Sequence, residues 1–166
     1  MLIRCFTGED LMVAAGKLSG SDLIELNLHR ADLANQDLSG ARLDRSDLRG
    51  AELVGANLVG ASLDGVRGMN AYFSGAQCAG ASFRKALLNY SHFEGCDLVE
   101  ADFSGSVLDG AALSGASLLG ALMLWASYES PDLSGALFDA TTQWPEGFDA
   151  IAFGAKDITG AEAGST

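Results

Sequence analysis

Proline is nearly absent from this 166-residue chain, at 2 residues, and lysine plus arginine reach only 10 against 22 acids. The first scarcity excludes a collagen-like architecture, which needs proline and a three-residue period. The second leaves a formal net charge of −12. That charge argues against direct nucleic-acid binding, which needs clustered Lys and Arg to neutralise phosphates. Cysteine is limited to Cys5, Cys78 and Cys96, an odd and widely spaced set that builds no disulfide framework. No apolar run approaches the length of a membrane span, so no membrane association is expected. The opening segment MLIRCFTGED turns acidic too early for a secretory signal, which makes a cytoplasmic location the expectation.

Chemistry-bearing groups are equally sparse. The two histidines, His29 and His92, have no Cys or Ser nucleophile at a plausible spacing. No His/Cys cluster has zinc spacing, and no glycine-rich segment sits between a strand and a helix as a phosphate loop would. No catalytic residue, metal ligand or cofactor site is therefore assigned, and the chain does not read as an enzyme.

What the sequence does have is a period. Residues 21–140 divide into 24 consecutive five-residue units without insertion. Position three of the unit is Leu in 15 units and Phe in 5; position one is Ala in 15 and Ser in 4; position five is Gly in 13. Neither a helical period of 3.6 nor a strand period of 2 produces this. Positions one and three lie two residues apart, so in an extended segment they face the same way, one small and one large. Positions four and five then turn a corner, where Gly or Asn accepts positive φ at little cost. Units ending in Arg45, Lys85, Tyr90, Glu100 or Trp125 are expected to turn differently, because bulky residues disfavour positive φ. Four corners close a square, so one coil takes four units. Coils stacked at ~4.8 Å would make a rod of about six coils, roughly 29 Å long. Positions one and three are expected inside, Cys78 and Cys96 among them, and positions two, four and five outside.

The units ADLAN at 31–35, AELVG at 51–55, ANLVG at 56–60 and ADFSG at 101–105 resemble the A(D/N)LXX motif of the pentapeptide-repeat family. The resemblance implies an all-β fold, the right-handed quadrilateral β-helix. It also brings the family's abundance in cyanobacteria and its gyrase-binding members. Two functions follow as expectations. One is a protein-binding scaffold whose partner is another protein of unknown identity. The alternative is an acidic nucleic-acid mimic that binds and protects a type II topoisomerase. The chain lacks the interrupting loop that gyrase-binding members often carry, which favours the first.

The departures from the motif suggest the ends and the binding face. Residues 1–20 are read as an N-terminal cap with a short helix over 8–16, acids in its first turn and Gly at its close. Residues 141–166 are read as a C-terminal cap and tail; TTQWPEGFD at 141–149 resembles a closing segment of cyanobacterial members. Trp144 and Phe148 are expected to fold over Leu122, Leu124 and Trp125 in the last coil, or to pair two chains end to end, giving a monomer or an end-to-end homodimer. Val59, Ala79, Val99 and Leu119 recur in every fourth unit, always at position four, and should form one apolar outer column, the candidate partner-binding stripe. Gly68 brings no side chain to a core position; bulky Val66 beside it reads as a compensating size swap, the alternative being a local bend that presents Arg67 and Met69.

Overall fold

The computed structural model describes residues 2–5, 10–12 and 16–160. Its governing feature is a ladder in which position two of each unit pairs in parallel with position two of the fourth unit after it. Asp22 pairs with Arg42, Asn27 with Asp47, Asp32 with Glu52 and Asp37 with Asn57, and the series runs on through Ser117 with Leu137. Four units therefore make one coil. The four faces are numbered here by their first units, starting at Ser21, Leu26, Ala31 and Gln36.

Three backbone hydrogen bonds per unit to neighbouring coils explain the regularity. The position-two N–H donates to a position-one carbonyl of the preceding coil, as Asn57 does to Gln36 at 2.9 Å. The position-three N–H donates to a position-two carbonyl of the following coil, as Leu58 does to Gln77 at 2.7 Å. The position-five N–H donates to a position-four carbonyl of the following coil, as Gly60 does to Ala79 at 2.9 Å. Each coil thus satisfies its neighbours' backbone groups, and single-residue bridges replace long strands.

The core fills as the period requires. Position three is buried in every unit from Leu23 to Leu133 except Tyr128, and position one is buried from Ala41 to Ala121. Phe73 and Phe93 stack on the third face at 4.6 Å, Phe83 and Phe103 on the first at 4.8 Å, and the two pairs meet edge-on across the axis at 5.6–5.8 Å. This is the favoured aromatic geometry. Where position one is polar, the rod satisfies it internally. Ser46 Oγ donates to the Leu23 carbonyl at 2.6 Å, and Ser91 and Ser106 donate to the carbonyls of Leu88 and Phe103, each at 2.7 Å. Cys96 Sγ makes the equivalent bond to Phe73 at 2.8 Å. Gly68 makes room rather than leaving a hole: a Cβ there would sit 2.8 Å from Leu88 Cδ2, and Val66 is fully buried.

Several expectations need correction. Arg45, Lys85, Tyr90 and Glu100 all adopt positive φ, at 56–57°, like the glycine corners. Four of the bulky corner residues are therefore ordinary corners. The ladder bond made by each N–H holds the conformation, and each side chain leans along the next coil, where the corner residue is a glycine. A Cβ on Gly110, for example, would lie 2.5 Å from Tyr90 Cδ1. Trp125 does turn differently, since its φ is not positive and its N–H bonds back to Met123 at 2.8 Å. Trp125 is nevertheless buried, against the outward rule for position five, because the cap covers it. Asp47 at position two is also buried, under Arg49 and Arg67.

Ladder pairing continues beyond both ends of residues 21–140, in phase at the N-terminal side and out of phase at the C-terminal side. Leu18 is buried as a position-three residue, and the Gly20 N–H donates to Ser39 at 2.8 Å, so a further unit precedes Ser21. At the N-terminus, β1 (Leu2–Ile3) pairs antiparallel with β2 (Leu11–Met12), which places a strand inside the segment read as a helix. Residues 8, 9 and 13–15 of that segment lie outside the described residues. The physical reason is edge pairing. Cys5 bridges Ala31 antiparallel, and the Arg4 carbonyl accepts from Asp32 at 2.7 Å, so extended chain occupies the slot a preceding coil would fill. At the other end the phase slips. Leu122 bridges Gln143 where the regular ladder would give Thr142. β3 (Leu137–Phe138) then pairs in parallel with β4 (Lys156–Asp157), so that Leu137 meets Lys156 where the regular ladder would give Asp157. The phase gains one residue between Leu137 and Gln143 and loses two between Gln143 and Lys156.

Candidate functional site

Val59, Ala79, Val99 and Leu119 stand in one column on the fourth face, as their spacing requires. The carbonyls of Val59, Ala79, Val99 and Leu119 accept from the corner N–H groups of Gly40, Gly60, Gly80 and Glu100 at 2.8–2.9 Å, which holds the four residues in register. Val59 is 42% exposed and the other three are half-buried. Below Leu119 the column continues to Asp139 and then to Ile158, whose N–H bonds to Phe138 at 2.9 Å. Val54, one face earlier in the coil of Val59, is 40% exposed and widens the apolar edge.

Charge is segregated by face, a feature that unit-by-unit reading of the sequence missed. Within residues 21–140 the third and fourth faces carry 8 acids and no Lys or Arg; the first and second carry 8 acids and 7 bases. Grouping residues by coil instead of by unit reveals it. The acids of the first two faces are largely spent in ladders. Asp47 is held by Arg49 at 2.6 Å and Arg67 at 2.7 Å, and Asp64 by Arg84 at 2.8 Å. Partial burial opposes ionisation of both carboxylates, but hydrogen bonds from the arginines outweigh it and hold both below the usual carboxylate range. On the third and fourth faces, Asp32, Asp37, Asp97 and Asp132 instead accept the backbone N–H two residues on, at 2.9–3.3 Å, and bond to no basic side chain among the described residues.

The end-cap residues converge on one aromatic cluster. Trp125 lies 5.9 Å from Trp144, 5.3 Å from Phe148 and 5.4 Å from Tyr128, ring centre to ring centre, and Phe153 stacks on Phe148 at 5.0 Å. Leu122 is half-buried in the ladder beside Gln143, while Leu124 remains 39% exposed outside the cluster. The indole N–H groups of Trp125 and Trp144 are buried without a hydrogen-bond partner among the described residues.

His29 and His92 lie on different faces. His92 stacks on Tyr72 at 4.8 Å and contacts Glu94 at 3.0 Å, and Ser74 Oγ also donates to Glu94, at 2.7 Å. Burial pushes the Cys78 thiol well above its ordinary pKa and that of Cys96 up to about 12, so neither is a ready nucleophile. Among the described residues no group of three His, Cys, Asp or Glu could hold a metal ion, and no helix is long and apolar enough to cross a membrane.

The family model described as pentapeptide repeats (8 copies) matches over five overlapping spans, residues 17–50, 27–65, 51–89, 69–105 and 88–123. The chain belongs to the pentapeptide-repeat family. No curated protein matches it. Among solved structures it is similar to the pentapeptide-repeat protein Rfr23 from the cyanobacterium Cyanothece 51142, with 20% identity, 75% of this chain and 88% of that one covered, and a TM-score of 0.43. It is also similar to HetL, a pentapeptide-repeat protein involved in heterocyst differentiation regulation from Nostoc sp. strain PCC 7120, at 21% identity, 84% and 76% coverage and a TM-score of 0.28. A third is QnrB1, a plasmid-mediated fluoroquinolone resistance protein, at 19% identity, 88% and 87% coverage and a TM-score of 0.38. For this pentapeptide-repeat chain, the outer faces are what is available for recognition.

Proposed function

We propose that this protein is a non-enzymatic scaffold, a rod of about six right-handed coils that binds another protein through its fourth face. The observation that carries the reading is the column of Val59, Ala79, Val99 and Leu119, hydrogen-bonded into register on the side of the rod that, within residues 21–140, has acids and no Lys or Arg. The column runs roughly 14 Å at the ladder spacing. Burying its three larger side chains contributes on the order of 2–5 kcal/mol, too little for tight association by itself. The flanking carboxylates Asp37, Asp97 and Asp139 therefore point to a partner surface that is apolar at its centre and basic at its rim, where charge sets orientation and encounter rate.

Val59→Asp with Val99→Asp tests this. Both side chains point outward, so circular dichroism and thermal melting should be close to wild type, while capture of the partner from a lysate falls at least tenfold. Wild-type capture by the folded double variant removes the fourth face from consideration.

The same predominantly acidic side favours a second reading, a mimic of nucleic acid towards a basic groove on a type II topoisomerase. A supercoiling assay with and without a quinolone separates the two. Protection of the topoisomerase that is lost on replacing Asp37, Asp97 and Asp139 by Asn would support mimicry; no effect of the protein on supercoiling would leave the scaffold reading.

A further inference from the structure

A cavity of about 510 Å³ opens where the second face meets the third, lined by His29, Arg30, Arg49, Glu52, Met69 and Tyr72. Its volume falls in the range of small-molecule sites. We propose that it binds a mononucleotide-like ligand: an oxyanion joined to a planar ring that carries an amino donor.

The anion end follows from local charge. Arg49 and Arg67 share the single carboxylate of Asp47, which leaves that trio with one net positive charge. Arg30 adds a second, since it makes no ion pair among the described residues. On a chain of net charge −12 this is an unusual concentration of guanidinium groups, and planar donors of this kind match phosphate oxygens. Access comes from the corner itself. Gly50 has no Cβ, and the Arg30 stem lies along it; a Cβ there would be 3.4 Å from Arg30 Cγ. Arg30 is exposed, and its stem runs along that corner beside the cavity it lines.

The ring end follows from the third face. Tyr72 and His92 are stacked at 4.8 Å and within 5° of parallel, so one face of Tyr72 is occupied. Its other face looks along the ladder towards the rung of Glu52. A planar ring placed there continues the stack at the spacing the coils already impose. The Glu52 carboxylate makes no ion pair among the described residues, and at the edge of that ring it would accept from an amino group. Gly50 and Glu52 are two residues apart, ~6.5 Å along extended chain, which suits a sugar-sized spacer between anion and ring. A long polyanion is disfavoured, because beyond this corner it would run onto the third and fourth faces, which within residues 21–140 carry acids and no Lys or Arg.

The test is a set of two-dimensional amide NMR titrations of the 17.1 kDa protein with adenosine monophosphate, adenosine, inorganic phosphate and a short oligodeoxyadenylate at one salt concentration. Adenosine monophosphate should give saturable shifts at Gly50, Asn70 and Tyr72, with adenosine and phosphate each at least tenfold weaker. Arg30→Gly, which suits the positive φ of that corner, should weaken the monophosphate at least tenfold and leave adenosine unchanged. Tyr72→Ala should weaken both ring-bearing probes and leave phosphate unchanged. Absence of saturable shifts up to about 10 mM monophosphate, phosphate binding as tightly as the monophosphate, tighter binding of the oligonucleotide, or equal binding by folded variants would each overturn the proposal.

Discussion

Gly68→Ala adds one methyl group to the middle of the rod, and the structure says where it goes. The new Cβ would lie 2.8 Å from Leu88 Cδ2, well inside van der Waals contact, and both Leu88 and Val66 are fully buried. Leu88 cannot retreat outward, so it must leave its rotamer or the coils must part. Overpacking of this kind costs about 1–3 kcal/mol. At about 2–4 °C per kcal/mol for a domain of this size, the melting temperature should fall by about 2–12 °C. Gly95→Ala is the control: its φ is +64° and a Cβ there meets nothing within 4 Å, so it reports only the backbone cost of a left-handed alanine, about 1–2 kcal/mol. Urea unfolding of both variants, each with and without Leu88→Val, separates the mechanisms. Leu88→Val removes the clashing methyl group, so Gly68→Ala should become at least about 1 kcal/mol less harmful in that background, while the cost of Gly95→Ala should not change. A neutral Gly68→Ala, or one whose cost is independent of residue 88, would refute the packing argument.

Asp47→Asn should destabilise the protein by about 1–2 kcal/mol near neutral pH, because Arg49 and Arg67 lose their shared acceptor. The folded carboxyl is held below its ordinary value, so its contribution is present above the usual carboxylate range and disappears as pH falls through the folded pKa. Melting curves of wild type and variant should therefore converge in strong acid; a gap that persists there would refute the linkage. Cys78 and Cys96 should resist alkylation at mildly alkaline pH until the rod unfolds, as their burial and raised pKa values require, and peptide mapping after a short iodoacetamide pulse checks this. Phe148→Ala should loosen the cap, costing about 3–4 kcal/mol if the cluster cannot close and shifting tryptophan fluorescence to the red; an unchanged spectrum would mean that Phe148 does not shield Trp125.

Much of this rod was legible in the residues alone. A period of five over 24 units dictates which side chains face inward, and the alternation of Ala with Leu or Phe dictates what fills the interior. That is local information: two positions on one side of an extended triplet, then a turn. The column of Val59, Ala79, Val99 and Leu119 was equally readable, because coil stacking converts a spacing of four units into adjacency. The tertiary structure decided matters that depend on the neighbouring coil. Local propensity counts against positive φ at Tyr90 and Lys85, yet both adopt it, since each N–H has a carbonyl waiting in the next coil and each side chain has a glycine beside it. Leu11–Met12 reads locally as part of a short helix but pairs as a strand, because the first coil presents an open edge that extended chain satisfies better than a helix. The burial of Asp47 and Trp125, the phase shift between Thr141 and Lys156, and the cavity beside Arg30 and Tyr72 all arise between segments a full coil apart in sequence. A five-residue motif carries no information about such partners; only the closed coil brings them together.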